Sequence, residues 1–531
     1  MEAQHVALEE PDFSGVLPTM DDSFLGSGCN ICVPLLADSV PAMLEQMQLA
    51  HVQGADMVEF RLDHLARFDP HTDIPALLDQ RSLPAVFTYR PTWEGGKYKG
   101  DDAPRLSALM LAIKSGADFV DIELQVASKF IARLQRPSQS KVIVSHHNFH
   151  DTPSAEELGC LVAKIQLTGA DVIKVVTTAK QIMDVAHVFQ VLSRSQAPTI
   201  ALVMGQHGVI SRLLTPKYGG FLTFGSLALG KESAPGQLPI AELHNIYGLP
   251  RVGRDTEVFG IIGQLVGYSK SPLIHNKFFQ EIGYDGVYVP FLVHNFKEFF
   301  DVFHSANFIG FSISIPYKEV AMECCDEVEP FAKAIGAVNT VVRRKSDGKF
   351  VGYNTDCEAA VGAIEDGLGG PKGGVSPLFG KDVVVIGAGG AGKAIAYGAK
   401  QRGARVYIAN RHLERASILA QAVGGTAITT EQLYKLRPVV GSVLANTTPI
   451  GMYPNEKDSP MSKDALKHYS LVFDAVYTPK VTRLLREAEE VGTIVVSGME
   501  MFIRQAIEQF SLFIASPVPK QRLREVMISI M

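Results

Sequence analysis

The chain has 531 residues, which is more than one typical domain, so we expect two large domains. Apolar residues make up 46% and charged residues 20%, as in a globular protein, and the formal net charge of −6 gives no reason to expect nucleic acid or an anionic membrane as a partner. Six cysteines do not make a disulfide framework at this length, and no segment reaches the roughly 18 uninterrupted apolar residues that a membrane helix needs.

The first residues are acidic and lack the apolar core of a signal peptide. They are also unlike a transit peptide, which is rich in arginine and serine. The sequence as written therefore predicts a cytosolic protein, unless a targeting segment has been removed. Cys29 and Cys32 then form a C-x-x-C spacing without a second pair, so we expect no metal.

Between Asn30 and Leu227, short apolar runs alternate with helical stretches. Strand–helix alternation eight times over is the pattern of a (β/α)8 barrel, an α/β fold that carries its chemistry at the C-terminal ends of its strands. The predicted strands are residues 31–36, 56–63, 85–90, 119–124, 142–147, 171–176, 199–204 and 221–226.

Polar residues collect at these strand ends. Glu59 and Arg61 lie near the end of the second strand, Arg90 closes the third, Glu123 nearly closes the fourth, and His147 closes the fifth. Lys174 lies inside an otherwise apolar sixth strand, where lost solvation makes its amine a usable nucleophile toward a carbonyl. The alternative is a lysine that extends from the strand edge to solvent. The neighbouring histidine and arginines favour a site.

The motifs of this half resemble type I 3-dehydroquinate dehydratases, over about residues 30–239. The resemblance implies that Lys174 forms a Schiff base with the C3 ketone of 3-dehydroquinate. It also implies that His147, rather than His146, moves the C2 proton and that Glu59 orients His147. The implied substrate-binding residues are Arg61, Arg90, Arg212, Ser233 and Gln237. The motifs are Glu59-Phe-Arg-Leu-Asp63, Thr88-Tyr-Arg-Pro91, Ser145-His-His-Asn148, Ile173-Lys-Val175 and Ser233-Ala-Pro-Gly-Gln237.

A short polar connection at residues 245–255 predicts the boundary between the two halves. Ser269 and Ser271 follow, ahead of a predicted helix, and offer either a helix cap or hydroxyls for a carboxylate. Lys318, Asn339 and Asp356 come at three successive strand-end turns. Together they indicate a polyol-binding cleft with a proton-transfer pair.

Residues 383–394 join an apolar, β-branched run to a glycine cluster and then to helix-forming residues. Gly387, Gly389 and Gly392 fit the G-x-G-x-x-G spacing, with a strand before and a helix after. The three glycines allow a tight turn, a close approach to a pyrophosphate and close helix–strand packing. This context favours dinucleotide binding over a structural turn.

The second strand of this region ends in Asn410-Arg411, and Arg415 lies one turn further on. A chain that binds NAD usually has an acidic residue there, whereas an arginine suits the 2′-phosphate of NADP. The sequence therefore predicts NADP, with a solvated basic helix start as the alternative.

The C-terminal half resembles shikimate dehydrogenases, over about residues 258–531. The resemblance implies that Lys318 and Asp356 form the acid–base pair and that the last helices return to the substrate lobe. The implied substrate-binding residues are Ser269, Ser271, Ser314, Asn339, Tyr477 and Gln505. The implied cofactor-binding residues are Gly387, Gly389, Gly390, Gly392, Asn410, Arg411, Arg415, Thr447 and Gly498.

Four positions depart from the dehydrogenase pattern. Tyr268 and Tyr317 each stand where the family usually has histidine, and the other two bear on substrate and cofactor. Ser314 stands where threonine is usual, which frees space near the ring, so a quinate dehydrogenase or an enzyme that oxidises 3-dehydroshikimate toward gallate is the alternative. His412 stands where threonine or serine usually follows Asn-Arg, which leaves NAD as the alternative cofactor. Ser271 is retained and argues against a complete change of substrate.

The two halves together resemble the bifunctional plant enzymes of the shikimate pathway. We expect small-molecule partners only (3-dehydroquinate, 3-dehydroshikimate, shikimate and, in the alternative, quinate), a monomer, and a plastid location if a transit peptide was removed. A metabolite-binding regulator without turnover is a further alternative, although the residues implied in catalysis are present. The predicted domains are a barrel at 28–245, a substrate lobe at 255–365, a Rossmann cofactor lobe at 380–496, and C-terminal helices at 497–531.

Overall fold

The computed structural model describes residues 29–136 and 138–530, apart from the side chain of Tyr268. The acidic N-terminal segment, and the expectation about targeting that rests on it, lie outside the described residues. So do residues 28 and 531, which limit the first and last predicted domains. The chain divides into two compact units, Met1–Phe308 and Ile309–Met531. Among the described residues, no helix is both long and apolar enough to cross a membrane.

The first unit contains the predicted barrel. Its strands are β1 Asn30–Leu35, β2 Met57–Arg61, β3 Ala85–Thr88, β4 Phe119–Glu123, β5 Lys141–His147, β6 Val172–Thr178, β7 Thr199–Met204 and β8 Leu222–Phe224. They pair in parallel in the order β7-β6-β5-β4-β3-β2-β1-β8. The N–H of Phe221, just before β8, donates to the carbonyl of Thr199 at the start of β7 and brings the two ends of the sheet together. The predicted (β/α)8 barrel is confirmed.

Helices connect the strands and cover the outside of the barrel. Proline in the first turn starts α1 and α2 without losing a helical hydrogen bond. A capping box between Ser154 and Glu157 starts α5. The helices are α1 Val40–Val52, α2 Pro70–Asp79, α3 Asp102–Lys114, α4 Leu124–Ile131, α5 Ala155–Gln166, α6 Asp184–Arg194, α7 Val209–Leu213 and α8 Ile240–Asn245.

The barrel interior is apolar at one end and charged at the other. One buried apolar cluster takes a residue from every strand, mostly from the first half of the strand, and includes Cys32, Met57, Val86, Phe119, Ile143, Val172, Ile200 and Leu222. Charged residues lie further along β2, β4 and β6, at Glu59, Asp121 and Lys174. The interior therefore has an apolar floor, and the strand ends that carry the chemistry in this fold are polar.

The first unit also contains the parallel pair β9 Glu257–Gly263 and β10 Gly286–Leu292, with helices α9 Ser271–Ile282 and α10 Phe296–Val302. This pair is held to the barrel. Lys217 Nζ donates to the carbonyls of Arg254 at 2.9 Å and Thr256 at 2.8 Å, and a ring nitrogen of His207 lies 3.0 Å from the carbonyl of Leu292. These contacts account for a unit limit at Phe308 that lies beyond the predicted boundary at 245–255. The predicted domain limits stay a proposal.

The second unit begins with a mixed sheet. Its strands are β11 Phe308–Ile313, β12 Glu327–Val328, β13 Thr340–Arg343 and β14 Phe350–Tyr353, and its helices are α11 Ala321–Cys324, α12 Pro330–Ile335 and α13 Asp356–Gly367. Strand β13 is antiparallel to β11 and β14, and β12 is parallel to β14. Each of the predicted polar turns adjoins one of these elements.

A six-stranded parallel sheet of the Rossmann type follows. Its strands are β15 Asp382–Ile386, β16 Arg405–Ala409, β17 Thr426–Ile428, β18 Val443–Asn446, β19 Leu471–Asp474 and β20 Ile494–Ser497. The helices are α14 Gly390–Gln401, α15 Leu413–Val423, α16 Thr430–Lys435, α17 Lys463–Leu466, α18 Arg483–Glu490, α19 Gly498–Ile514 and α20 Lys520–Ile530.

The strand order is β17-β16-β15-β18-β19-β20, so the order reverses beside β15, where this fold binds dinucleotides. Successive residues of β15 enter different apolar clusters: Val383 and Val385 join one, whereas Val384 and Ile386 join another. Burial of both faces explains why this strand is an unbroken apolar run in the sequence.

Candidate functional sites

Lys174 lies on β6 with its side chain only 5% exposed. Its Nζ donates to Asp121 Oδ2 at 2.7 Å, lies 3.8 Å from Glu59 Oε1, and stands 4.6 Å from the ring centre of Phe224. The lysine therefore does not extend to solvent, which was the alternative interpretation. Two carboxylates balance its charge and are within reach of its proton.

Arg90 continues this buried arrangement of charges. Its Nη2 lies 2.8 Å from Asp121 Oδ1, and its Nη1 donates to Glu123 Oε1 and Ser145 Oγ, both at 2.8 Å. Burial raises the pKa of the Asp121 carboxyl, but the charges of Arg90 and Lys174 outweigh this and hold it well below its usual range. Asp121 is therefore a permanent anion between two cations.

His147 is held by Glu94. The backbone N–H of His147 donates to Glu94 Oε1 at 2.7 Å, and the ring Nδ1 lies 3.2 Å from the same oxygen. A carboxylate only accepts, so Nδ1 carries the proton and Nε2 is left as the base. Burial lowers the pKa of His147 to about 4, and the Glu94 hydrogen bond opposes this. The imidazole is therefore neutral at pH 7.

The structure corrects the expectation that Glu59 orients His147. Glu59 Oε1 accepts a 2.7 Å hydrogen bond from Thr88 Oγ1 and faces Lys174. Glu59 adjoins the amine, and Glu94 is the carboxylate that orients the imidazole. Glu94 can contact His147 because it lies on a short helix, Thr92–Glu94, that follows β3. Its side chain extends to the end of β5, where His147 lies.

The predicted substrate arginines differ in their partners. Arg61 is bound by both oxygens of Asp63, at 2.9 and 2.8 Å. Arg212 is 2% exposed and, among the described residues, has no carboxylate partner; its Nη2 reaches the carbonyl of Pro235 at 3.4 Å, and its Nε has no acceptor. Burial lowers the pKa of Arg212 to about 10. A buried, unbalanced guanidinium fits a substrate carboxylate.

Ser233 and Gln237 lie in the loop after β8 and contact each other. The N–H of Ser233 donates to Gln237 Oε1 at 2.8 Å, and Gln237 Nε2 donates to Ser233 Oγ at 2.9 Å. The same loop contains Pro235, whose carbonyl accepts from Arg212. The structure therefore brings Arg212, Ser233 and Gln237 to one loop, and their shared role in substrate binding stays a prediction.

Sequence reasoning placed Glu123 at a strand end but missed Glu94, Asp121 and Arg105, whose Nη1 donates to Glu123 Oε2 at 2.6 Å. Asp121 and Glu123 had a signal, because two carboxylates at a spacing of two lie on one face of an apolar strand. Glu94 had none, because a helix of three residues leaves no periodic pattern in the sequence and the partner of Glu94 is more than 50 residues away.

In the second unit, the predicted acid–base pair is formed. Lys318 Nζ donates to Asp356 Oδ2 at 2.5 Å, and Asn339 Nδ2 donates to Asp356 Oδ1 at 2.9 Å. Asp356 is 3% exposed and Asn339 1% exposed, whereas the side chain of Lys318 is 19% exposed. The carboxylate is therefore fixed, and the ammonium is the member of the pair that solvent or a ligand can reach.

Helix α19 contacts the residues that adjoin this pair. The carbonyl of Gln505 accepts from Thr355 Oγ1 at 3.3 Å, and Gln509 Nε2 donates to the carbonyl of Asn339 at 3.0 Å. The ring of Tyr477 stacks on Phe502 of the same helix, with ring centres 4.4 Å apart. Burial raises the pKa of Tyr477, so its hydroxyl stays protonated. Of the two predicted residues, Gln505 thus lies on α19 and Tyr477 packs against it.

The three predicted serines are placed less decisively. Ser269 and Ser271 lie at the start of α9 in the first unit, where the N–H of Ser271 donates to Ser269 Oγ at 3.2 Å. Ser314 follows β11, and its carbonyl accepts from the N–H of Tyr317 at 3.0 Å. Their roles toward a substrate remain predictions.

Each glycine of the loop after β15 has the environment that its predicted role requires. Gly387 has φ +111°, so it makes the tight turn. A Cβ at Gly389 would meet nothing within 4 Å, so this face of the backbone is open to a ligand. A Cβ at Gly392 would lie 2.2 Å from the carbonyl oxygen of Gly387, so only glycine permits this packing. This backbone fits a pyrophosphate.

Two other predicted cofactor glycines have protein neighbours. A Cβ at Gly390 would lie 2.8 Å from Cδ of Lys318, so the stem of Lys318 crosses this residue. A Cβ at Gly498 would lie 2.4 Å from the carbonyl oxygen of Ala475. Thr447 Oγ1 donates to the carbonyl of Ile386 at 2.8 Å and closes the loop from β18. Contacts of these residues with a cofactor remain predictions.

The predicted phosphate-binding residues lie after β16. Asn410 Nδ2 donates to the carbonyl of His412 at 3.1 Å and shapes the turn. Arg411 is exposed, and Arg415 is 55% exposed with its Nη2 3.3 Å from Glu319 Oε1. The exposed arginines beside an open glycine loop fit NADP, and these residues with Gly387 and Gly389 are the ones that would hold it.

Family models match three stretches of the chain. They are type I 3-dehydroquinase over residues 31–253, shikimate dehydrogenase substrate binding domain over 261–341, and shikimate / quinate 5-dehydrogenase over 373–446. The solved structure of dehydroquinate dehydratase and shikimate dehydrogenase from S. pombe AroM covers 96% of this chain and 99% of its own, with 26% identity and a TM-score of 0.41.

Two curated relatives are similar in sequence. The shikimate dehydrogenase (NADP(+)) of Methanothermobacter thermautotrophicus is 36% identical over 50% of this chain and 93% of its own length. The bifunctional 3-dehydroquinate dehydratase/shikimate dehydrogenase, chloroplastic, of Arabidopsis thaliana is 55% identical over 94% of this chain and 84% of its own length. The resemblance drawn from the motifs is confirmed, and the chain belongs to the family of bifunctional 3-dehydroquinate dehydratases/shikimate dehydrogenases.

Proposed function

We propose that the chain catalyses two consecutive reactions. The barrel dehydrates 3-dehydroquinate to 3-dehydroshikimate, and the C-terminal half reduces 3-dehydroshikimate to shikimate with NADPH. The observation that carries the first reaction is the buried amine of Lys174 beside Asp121 and Glu59, in the same barrel as a neutral His147. The product of the first site is the substrate of the second.

The first step is condensation of Lys174 with the C3 ketone. The ammonium gives one proton to the neighbouring carboxylate of Glu59, 3.8 Å away, and the free amine attacks the carbonyl carbon. The carbinolamine hydroxyl then leaves as water with that proton, and a protonated imine remains. Charge is conserved, because the positive charge of the ammonium becomes that of the iminium.

The second step is elimination across C1 and C2. The iminium withdraws electrons and acidifies the C2 proton, which His147 Nε2 accepts while Glu94 holds Nδ1. The enamine electrons then expel the C1 hydroxyl, and the imidazolium returns its proton so that water leaves. Hydrolysis of the imine releases 3-dehydroshikimate and restores the ammonium. Arg212 would bind the carboxylate throughout, because it is a buried cation that has no carboxylate partner among the described residues.

In the dehydrogenase half, the chain supplies binding and proton transfer. NADPH supplies the hydride when it is bound at the loop of Gly387 and Gly389. Lys318 holds a proton at the carbonyl oxygen that becomes the hydroxyl, and Asp356 fixes Lys318 at 2.5 Å. Asn339 holds the other oxygen of Asp356, so the pair keeps one geometry.

Borohydride trapping tests the dehydratase. We expect the wild type to gain a covalent adduct with 3-dehydroquinate, seen by intact-protein mass spectrometry, and Lys174→Ala to gain none while it still reduces 3-dehydroshikimate. Retained dehydrogenase activity shows that the C-terminal half of the variant is folded, and urea unfolding followed by the fluorescence of Trp93 shows the same for the barrel. An adduct at another lysine, or an unchanged dehydration rate in Lys174→Ala, would contradict the Schiff-base mechanism.

An oxidation panel tests the dehydrogenase. Shikimate and quinate are each offered with NADP+ and with NAD+, and kcat/KM is compared. We expect shikimate with NADP+ to give the highest value. Ser314→Thr is the matched variant, because it restores the methyl group of the usual family residue; we expect it to leave shikimate turnover high. Faster turnover of quinate than of shikimate by the wild type would overturn this assignment.

We also propose that the protein works in the plastid, as the word chloroplastic in the name of the Arabidopsis thaliana relative suggests, and that it is a monomer. A fluorescent fusion of the full reading frame, imaged in leaf cells, tests the location. Light scattering after size exclusion tests the assembly, and a mass of twice the chain would contradict a monomer.

A further inference from the structure

One carboxylate of the second unit pairs with two cations of the cofactor lobe. Glu319 follows Lys318 directly, and its side chain is 44% exposed. Its Oε2 lies 2.9 Å from Lys393 Nζ, and its Oε1 lies 3.3 Å from Arg415 Nη2. Lys393 is on α14, just after the glycine loop, and Arg415 is on α15, at the predicted 2′-phosphate position.

The two cations are not held equally. The side chain of Lys393 is 20% exposed, and its Nζ also donates to the carbonyl of Gly336 at 3.3 Å, at the C-terminal end of α12. The side chain of Arg415 is 55% exposed, and among the described residues Glu319 is its only ionic partner. Glu319 is therefore fixed by Lys393, whereas Arg415 is the cation that an incoming anion can take from it.

We infer that Glu319 is a specificity-determining residue that competes with the 2′-phosphate of NADP for Arg415. This inference rests on the proposed cofactor site. Without the 2′-phosphate, Arg415 keeps its pair with Glu319. A dinucleotide that carries the 2′-phosphate must replace that carboxylate. The cost of breaking the existing ion pair therefore reduces the favourable free energy of binding to Arg415. NAD makes no such exchange.

The position of Glu319 supports a role in the bound state as well as in the free state. The carbonyl of Lys318 accepts from the N–H of Val338 at 2.7 Å, and the stem of Lys318 crosses Gly390. The segment that carries Glu319 is thus fixed next to the glycine loop. Because Lys393 also binds this carboxylate, we expect Glu319 to stay in place when Arg415 turns toward a 2′-phosphate, and to repel that phosphate as a like charge.

We expect only a modest change in cofactor affinity, because the side chains of Glu319 and Arg415 are both about half-exposed. Ion pairs of this kind are weak and screened by salt. Relative to the control variant described below, we expect Glu319→Gln to tighten NADP+ binding by about two- to fivefold at low salt, and to leave NAD+ binding the same. The same selectivity should appear with fragments, because adenosine 2′,5′-bisphosphate carries the phosphate that 5′-AMP lacks.

The matched control is Glu358→Gln. Glu358 is 56% exposed and is bound by Arg402 through two hydrogen bonds, at 2.9 and 2.7 Å, on the outside of α13. The control removes the same single negative charge from the same unit, and it leaves Arg415 untouched. It therefore corrects for the general gain that any added positive charge gives to an anionic ligand.

Titration calorimetry on the full chain decides the matter without any turnover. Support requires that Glu319→Gln tighten NADP+ and adenosine 2′,5′-bisphosphate more than Glu358→Gln does. It also requires that NAD+ and 5′-AMP respond equally to the two substitutions, and that the gain for NADP+ vanish in an Arg415→Ala background. An equal change for both dinucleotides would mean that Glu319 acts through Lys393 and would overturn the inference. So would a gain that survives in Arg415→Ala. Failure of the wild type to bind either dinucleotide would overturn the proposed dehydrogenase itself.

Discussion

Lys174 and Arg90 bind opposite oxygens of one buried carboxylate, that of Asp121, at 2.7 and 2.8 Å. Glu123 then joins Arg90 to Arg105, so charges of alternating sign run from the reactive amine to helix α3 on the outside of the barrel. Each buried ion in this series is compensated by its neighbour. Removing one member leaves others uncompensated, which is costly in a low-dielectric interior.

Asp121→Asn should lower the free energy of unfolding of the barrel by about 3–5 kcal/mol, because it leaves two buried cations short of an anion. It should also abolish borohydride trapping, since Asp121 is one of the two carboxylates that hold Lys174. Urea unfolding followed by the fluorescence of Trp93, the one tryptophan of the chain, measures the first effect. The control is Asp151→Asn, which removes an exposed barrel carboxylate and should change neither quantity. Equal free energies of unfolding for Asp121→Asn and the wild type would contradict the claim that Asp121 compensates the two buried cations.

Arg212→Met should stabilise the barrel and weaken binding of 3-dehydroquinate. A buried guanidinium without a carboxylate partner costs solvation energy, and its replacement by an apolar side chain should raise the free energy of unfolding by about 1–3 kcal/mol. Arg61→Met is the contrast, because it strands Asp63 and should destabilise the barrel. Unfolding curves and the KM for 3-dehydroquinate are compared for both variants. Destabilisation by Arg212→Met would show that another anion balances this arginine.

The residues that sequence reasoning located share a periodic context. Lys174 stood out because a lysine interrupts an apolar strand, and the loop glycines stood out because a fixed spacing follows a strand. Alternation of apolar and helical stretches was enough for the barrel, since eight βα units have few other ways to bury their strands.

Contacts between side chains on different strands and loops of the barrel could not be predicted from the sequence. Glu59 and Glu94 are both carboxylates near strand ends, and only the course of the loop after β3 decides which of them reaches His147. The contact of Glu319 with Arg415 is of the same kind, because the two residues are almost 100 positions apart and lie on irregular turns or helix surfaces. Such contacts depend on tertiary geometry, which residue spacing does not encode.

Acid should destabilise the barrel partly through His147. Its pKa is about 6.5 in an unfolded chain and about 4 in the folded protein, because burial disfavours the imidazolium. Between these values the unfolded state binds more protons, so stability falls as the pH drops from about 6.5 to about 4, by about 3 kcal/mol from this residue. His147→Gln should therefore flatten the acid side of the stability profile, measured by urea unfolding between pH 7 and pH 5. Parallel profiles for the two proteins would contradict a buried neutral imidazole.

Two alanine substitutions in the glycine loop should separate cofactor approach from packing. At Gly389 the backbone is extended and a Cβ meets no protein atom, so Gly389→Ala should fold normally and weaken NADP+ binding by blocking the pyrophosphate. At Gly392 a Cβ would lie 2.2 Å from a backbone oxygen that cannot give way, so Gly392→Ala should lower the free energy of unfolding by about 1–3 kcal/mol. Calorimetric titration with NADP+ and thermal unfolding are run on both variants, with dehydratase activity as the check that the barrel is intact. Full affinity of Gly389→Ala for NADP+ would show that this loop does not bind the cofactor. The glycines would then be explained by the structure of the loop alone.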